Sequence, residues 1–397
     1  MWKVVFKALY FMPVIAWILA ALVIVRPLKL ERRLSLLLNA VLAVALGKFV
    51  IFYWIGGDRF YPDLSPHVIW FFGWLYDAAL LFTIFSVPIA AVEGVLRLCR
   101  HPVAVRTKRI RAALLAAVAL AVSFYGTYSP FCIPAVKRVE IAFPDLPSAF
   151  DGYRIVHMSD LHCSTAARRD RFERIVARVN DLAPDLVAIT GDFVDGEVLD
   201  RQADLAPLAE LRAKDGVVCC SGNHEVYSGW DPWYETFKGW GFVFPEETGV
   251  RLIQRGGDAL AIGGLPDPAF WGLGMEVVDA GNARRAFVDA PGGAFRILLF
   301  HRPFTAAIAS EAANVRLQLS GHTHGGAFPL VSALVARSNE GRTRGLYEFA
   351  KGRFLYLSPG TGQWAGYPLR LFNPTEITEI VLRVSQSSPA RGGVLKP

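Results

Sequence analysis

Hydrophobic positions change their rhythm once along this chain. Up to residue 128 they form four long, nearly unbroken runs: Leu9–Val25, Leu34–Trp54, Val68–Ala90 and Ala112–Tyr128. A helix that crosses a bilayer needs about 20 mostly apolar residues, within a range of roughly 17–25. Each run therefore predicts one membrane-spanning helix. The first has no evident cleavage site and is followed by further spans, which argues against a removable signal peptide. Tyr53, Trp54, Trp70, Tyr125 and Tyr128 fall near run ends, where an interfacial aromatic belt is expected.

Beyond residue 150 the apolar runs shorten and alternate with amphipathic stretches. Tyr153–Ser159, Leu186–Thr190 and Gly216–Cys220 read as strands. Phe172, Ile175, Val176 and Val179 recur at helical spacing between the first two. A second helical stretch lies near Leu205–Ala213. Later strands are expected at Ala259–Gly263, Phe295–Phe300 and Val315–Leu319, then a hairpin of Gly345–Phe349 and Phe354–Ser358, then Glu376–Val384. Gly264–Gly293 has weak periodicity and reads as loop and helix at the rim of a site. Repeated strand, polar turn and helix predict an α/β sheet whose strand ends converge on one edge. The expected division is a four-helix transmembrane domain over 1–130, an extended linker over 131–150, a catalytic domain over 151–384 and a disordered tail over 385–397. The linker reading rests on Pro134, Pro144 and Pro147, just after Pro130.

Charge adds an orientation. Of the chain's 42 Lys/Arg, 14 lie in residues 1–130, and of its 35 Asp/Glu only 5 do. The basic excess therefore belongs to the membrane half, and the rest carries no nucleic-acid footprint. Arg26, Lys29, Arg32 and Arg33 fill the first inter-span loop. Arg97, Arg100, Arg106, Lys108, Arg109 and Arg111 fill the third. The second has Arg59 beside Asp58 and Asp63. The positive-inside rule places loops one and three in the cytoplasm, so everything after Tyr128 lies outside. Lys48 and Asp77 interrupt the spans, and intramembrane charges are costly unless paired. Either they pair, or Lys48 snorkels to the headgroups. The five cysteines show no metal or redox spacing.

The chemistry sits at the strand ends. The chain has eight histidines. His67 and His101 belong to the membrane half and His157 lies inside a strand. The other five fall where strands stop: His162, with Asp160; His224, with Asn223; His301; and the pair His322 and His324 in a turn with Gly321, Gly325 and Gly326. Asp192 and Asp195 end another strand. Carboxylate, amide and imidazole donors suit manganese, iron or zinc, with no thiolate required. There are too many for one ion that also admits substrate. Two ions bridged by one carboxylate would use them, in the manner of two-metal phosphoryl chemistry.

Five blocks in order, Asp160-x-His162, Gly191-Asp192-x-x-Asp195, Gly222-Asn223-His224-Glu225, His301 and Gly321-His322-x-His324, resemble those of calcineurin-like metallophosphoesterases, especially their bacterial membrane-anchored branch. The likeness covers about residues 138–384. It implies a four-layer α/β/β/α sandwich. It implies that Asp160, His162 and His324 hold one divalent ion, that Asn223, His301 and His322 hold a second, and that Asp192 bridges them. His224 would contact the phosphate and protonate the leaving group, with Glu225 orienting it and Asp195 ordering the loop. The implied activity is hydrolysis of a phosphomonoester or phosphodiester by in-line attack of metal-bound hydroxide. Membrane anchoring suggests a lipid-linked or envelope-derived substrate, an integral inner-membrane location and an extracytoplasmic catalytic domain. The alternatives are a cytoplasm-facing nucleotide-lipid pyrophosphatase of the UDP-diacylglucosamine type and a non-catalytic metal-binding receptor or scaffold. No oligomeric state follows. Trp230, Trp233, Trp240, Phe242 and Phe244 either dock an acyl chain or fill the core. Pro359 stands where many relatives carry an arginine.

Overall fold

The short apolar runs resolve into eleven strands in two sheets, in a computed structural model that describes residues 13–271 and 279–385. The chain divides into two compact units: Met1–Ser129 with Ala365–Leu369, and Pro130–Trp364 with Arg370–Pro397.

In the second unit, β1 (Ala135–Phe143), β2 (Arg154–Met158), β3 (Leu186–Thr190), β4 (Val217–Cys220) and β11 (Glu376–Val384) form a sheet ordered β1-β11-β2-β3-β4. A second sheet is ordered β5-β6-β7-β8-β10-β9. Its strands are β5 (Arg251–Arg255), β6 (Asp258–Gly264), β7 (Phe295–Leu299), β8 (Leu317–Ser320), β9 (Gly345–Ala350) and β10 (Arg353–Leu357). The two-residue period of a strand decides which face each side chain serves. Ile155, Leu186 and Ala188 turn toward Ile262, Ile297 and Leu319 of the other sheet. Val156, Met158, Val187 and Ile189 turn the opposite way, onto Phe172, Ile175 and Val179. On the far side, Ala261 and Leu298 meet Ala283, Phe287 and Ala309. The result is the expected four-layer α/β/β/α sandwich. Each large side chain buried in it contributes roughly 1.5–3 kcal/mol.

The segment expected as a linker, 131–150, instead supplies β1. This edge strand pairs in parallel with β11 in the register Ala135↔Glu376 to Phe143↔Val384. Lys137, Arg138 and Glu140 hide its alternation, because much of the strand faces solvent. Phe143 anchors it, meeting Phe295 and Phe354 edge-on at centroid distances of 4.9 and 5.3 Å. Apart from Ser385, the expected tail lies outside the described residues, as do residues 272–278 of the expected rim. The aromatic stretch after residue 229 is core: Trp233, Phe237 and Phe244 are fully buried, and Trp230 and Trp240 pack against them. The acyl-docking reading of these residues is therefore withdrawn.

His157 is buried on β2, with Nε2 2.8 Å from Thr190 Oγ1. Burial holds its pKa down at about 3, against an ordinary 6.5. The unfolded chain takes up a proton below pH 6.5 that the folded chain refuses, so stability falls with acidification. From pH 7 to pH 5 this one residue is expected to remove about 2 kcal/mol. Denaturant titrations at both pH values should show that loss shrinking in His157→Gln. An equal loss in the variant would contradict it.

In the first unit, α1 (Pro13–Leu28) is a shorter apolar helix, whereas α4 (Pro66–Leu98) and α5 (Val105–Tyr128) are long and apolar enough to cross a membrane. The second expected span is broken. Helices α2 (Arg32–Leu46) and α3 (Lys48–Gly56) meet at Gly47 with a 66° bend. Among the described residues the spans thus number two, or three if the bent pair counts as one; the start of the first expected span lies outside them. Glu93 of α4 pairs with Lys108 (2.9 Å) and Arg111 of α5. Lys48 does not snorkel and makes no direct hydrogen bond or ion pair with Asp77, although the two buried charges lie near enough to act on each other. Lys48 is fully buried, donates to Gly366 O at 2.8 Å, and lies 4.6 and 4.7 Å from the Phe49 and Tyr76 rings. Asp77 accepts instead from Thr127 Oγ1 at 2.9 Å.

Candidate metal centre

Tight turns at the strand ends build the site. Asp160, His162, Asp192, His322 and His324 all have positive φ, between 47° and 71°. That conformation costs an ordinary residue roughly 1–2 kcal/mol, so neighbouring contacts must hold each in place. Backbone bonds lace the first two turns together: Asp160 N donates to Gly191 O (3.0 Å), His162 N to Asp192 O (3.0 Å) and Cys163 N to Phe193 O (2.9 Å). The approach leaves no room for a side chain at Gly321 or Gly222. A Cβ on Gly321 would strike Ser159 Oγ and Asp160 Oδ2, and one on Gly222 would strike Asp192 Oδ1.

These turns bring six of the seven expected ligands together, all but Asn223. Asp160, His162 and His324 form one donor group, and Asp192, His301 and His322 another. A third group, His162, Asp192 and His224, joins them. His162 Nε2 is 3.1 Å from His324 Nε2, and His324 Nε2 is 3.4 Å from Asp160 Oδ1. His301 Nε2 is 3.1 Å from Asp192 Oδ2 and 3.2 Å from His322 Nδ1. Nitrogen and carboxylate donors bind zinc-like ions at about 2.0–2.2 Å, so ligands on one ion lie about 3–3.5 Å apart. The spacing fits. Asp192 Oδ2 is also 3.8 Å from His162 Nε2, which sets it between the two groups. Asn223 supplies an independent sign. Its side-chain oxygen is buried without a hydrogen-bond partner, an arrangement that natural proteins avoid unless something else binds there.

Outer contacts fix the rings. His301 Nδ1 donates to Thr190 O (2.8 Å), and His162 Nδ1 faces Asp195 Oδ1 (3.3 Å). Acceptors behind an imidazole turn its other nitrogen toward an ion. His324 is held the other way, by a donor: Arg370 Nη2 reaches its Nδ1 at 2.8 Å. Arg370 is buried and also donates to Pro359 O (2.6 Å), Gly362 O (2.9 Å) and Gln363 Oε1. It lies 46 residues from His324 in the chain, and nothing around it in the sequence marks it as part of the site.

Two expected supporting roles are exchanged. Glu225 does not orient His224. Its carboxylate accepts from the backbone N–H groups of Asp192 (2.9 Å), Phe193 (2.6 Å) and Gly222 (2.8 Å), clamping one turn to the next. Asp195 orients His224, whose Nδ1 lies 2.5 Å from Asp195 Oδ1. The reason is helical: residues 223–227 form a short helix, and adjacent residues on a helix point in different directions. His224 Nε2 faces Asp192 Oδ2 at 4.0 Å, between the rings of Tyr227 and Trp364. Burial alone would lower the His224 pKa, but Asp192 and then Asp195 outweigh it and raise it to about 9. Burial lowers His322 and His324 well below the ordinary range, helped by Arg302 and Arg370 respectively.

Known proteins share this arrangement of sequence. The profile of the calcineurin-like phosphoesterase family matches residues 153–326. A transmembrane protein with metallophosphoesterase domain from Danio rerio is 32% identical over 291 residues, covering 70% of this chain and 64% of that protein. The chain thus spans just under two thirds of that relative. An uncharacterized metallophosphoesterase of Campylobacter jejuni is 30% identical over 254 residues, 63% of each chain. An uncharacterized metallophosphoesterase of Aquifex aeolicus is 30% identical over 249 residues, 62% of this chain and 91% of that one. The chain is a member of the calcineurin-like phosphoesterase family.

Proposed function

We propose that this protein is a membrane-anchored, metal-dependent phosphoester hydrolase with a two-ion centre. The observation that carries the reading is two donor groups sharing the Asp192 region, with neighbouring donors 3.1–3.4 Å apart. Asp160, His162 and His324 would hold one ion, and Asn223, His301 and His322 the other, with Asp192 between them. Manganese, iron and zinc suit this donor set. Bound ions would supply Lewis acidity to a phosphoryl group. His224, steered by Asp195, presents Nε2 to the same space as proton donor for the departing oxygen. Glu225 and Arg370 hold the turns from behind. The basic loops beside α2 and α5 support an extracytoplasmic catalytic unit in an inner membrane.

Bis-p-nitrophenyl phosphate and p-nitrophenyl phosphate test this. The detergent-purified protein should lose turnover on chelation and regain it with manganese, iron or zinc. Intact spheroplasts carrying it should hydrolyse the charged diester without lysis. Turnover only after lysis would place the catalytic unit in the cytoplasm. No turnover by protein with a full metal complement would point to binding without hydrolysis. The ratio of the two rates sorts diesterase from monoesterase.

A further inference from the structure

Arg302 directly follows His301 and is 3% exposed. Its Nε lies 2.7 Å from Asp267 Oδ2, and its Nη2 lies 2.8 Å from Asp267 Oδ1. Planar two-point pairing of this kind fixes a guanidinium in direction as well as position. Asp267 is itself fully buried and held: its Oδ1 accepts from Ala269 N (2.8 Å), and its N–H donates to Ser221 Oγ (3.3 Å). The Arg302 carbonyl accepts from Gln318 Nε2 at 3.3 Å. Backbone and side chain are therefore both anchored, yet Nη1 is buried without a hydrogen-bond partner. Leaving such a donor unsatisfied costs about 1–3 kcal/mol.

We propose that Arg302 Nη1 donates to a non-bridging oxygen of the substrate phosphoryl group, beside Asn223, His301 and His322. The inference rests on the phosphoesterase reading and deepens it by naming a substrate-binding residue. Its guanidinium lies near enough to Tyr227 and Asp192 for their charges to act on it, and Tyr227, half exposed, packs against the His224 ring at 5.6 Å. Asp267 is bonded through its N–H to Ser221 Oγ, just before Gly222-Asn223, and Arg302 directly follows His301, so the pair lies against the two turns that carry the second donor group. Asp267 explains how a cation is tolerated next to two divalent ions. The pair is neutral overall, so it adds directed N–H donors without adding net charge.

Inorganic phosphate is the probe, titrated calorimetrically into the full-length, manganese-loaded protein. Arg302→Lys keeps a cation against Asp267 and loses the second arm. Arg302→Met combined with Asp267→Asn removes the pair without stranding a buried charge. Both are expected to bind phosphate at least about tenfold more weakly than the parent, with manganese content unchanged by emission spectroscopy. Phosphate affinity within twofold of the parent at full metal content would overturn the proposal. So would loss of manganese, which would make Arg302 a positioning residue for His301. If the manganese-loaded parent itself binds no phosphate, the phosphoesterase reading fails rather than the assignment of Arg302 alone.

Discussion

Asp192→Asn is expected to lower kcat/KM for bis-p-nitrophenyl phosphate by on the order of 10³-fold, about 4 kcal/mol of transition-state stabilisation. The substitution is nearly isosteric, and the backbone N–H of residue 192 keeps its bond to Glu225. What it removes is the charge between the two donor groups, where Asp192 Oδ2 stands 3.1 Å from His301 Nε2 and 3.8 Å from His162 Nε2. Several histidines then converge with one carboxylate fewer to balance bound dications. Metal content should fall from two ions per chain to one or none. A variant that keeps two ions and the parent rate would remove Asp192 from the centre.

The strand ends carried most of the site in the sequence because a ligand there needs only its own turn to place it. Asp160, His162, Asp192, Asn223, His224, His301, His322 and His324 each follow an apolar run closely, and the turns do converge. What sequence did not carry are contacts made across the fold. Arg370 meets His324 from 46 residues away. Arg302 stands beside a candidate ligand, but its pairing with Asp267 depends on a segment of weak periodicity. The resemblance implies that Glu225 orients His224, whereas hydrogen bonds from four backbone N–H groups claim its carboxylate. The fold follows the same division. Strands β2, β3 and β4, buried on both faces, read as apolar runs. Edge strands β1 and β5 carry charged residues among their apolar ones and did not. Hydropathy counted α2 and α3 as one span, because composition does not register the break at Gly47.

His224→Asn should separate two ways in which an imidazole can assist. A proton donor matters in proportion to how poorly the leaving oxygen departs on its own, and such donation contributes about 10²–10⁴-fold. p-Nitrophenolate departs without a proton; an alkoxide does not. The variant is therefore expected to lose about 10²–10⁴-fold on an alkyl phosphate ester and less than about tenfold on the p-nitrophenyl ester. Its metal content should stay at the parent level. Asp195→Asn should show the same pattern in weaker form, since Asp195 acts only by steering the ring through Nδ1. The geometry favours donation: Asp195 fixes one nitrogen, and Nε2 is left facing Asp192 at 4.0 Å on a side chain 13% exposed. Asp195, which no ion is proposed to claim, favours the protonated ring against the burial that would strip it. Equal losses on both esters would instead assign His224 to balancing charge on the phosphate, because that need does not depend on the leaving group. A loss of metal would draw it into the donor group it forms with His162 and Asp192.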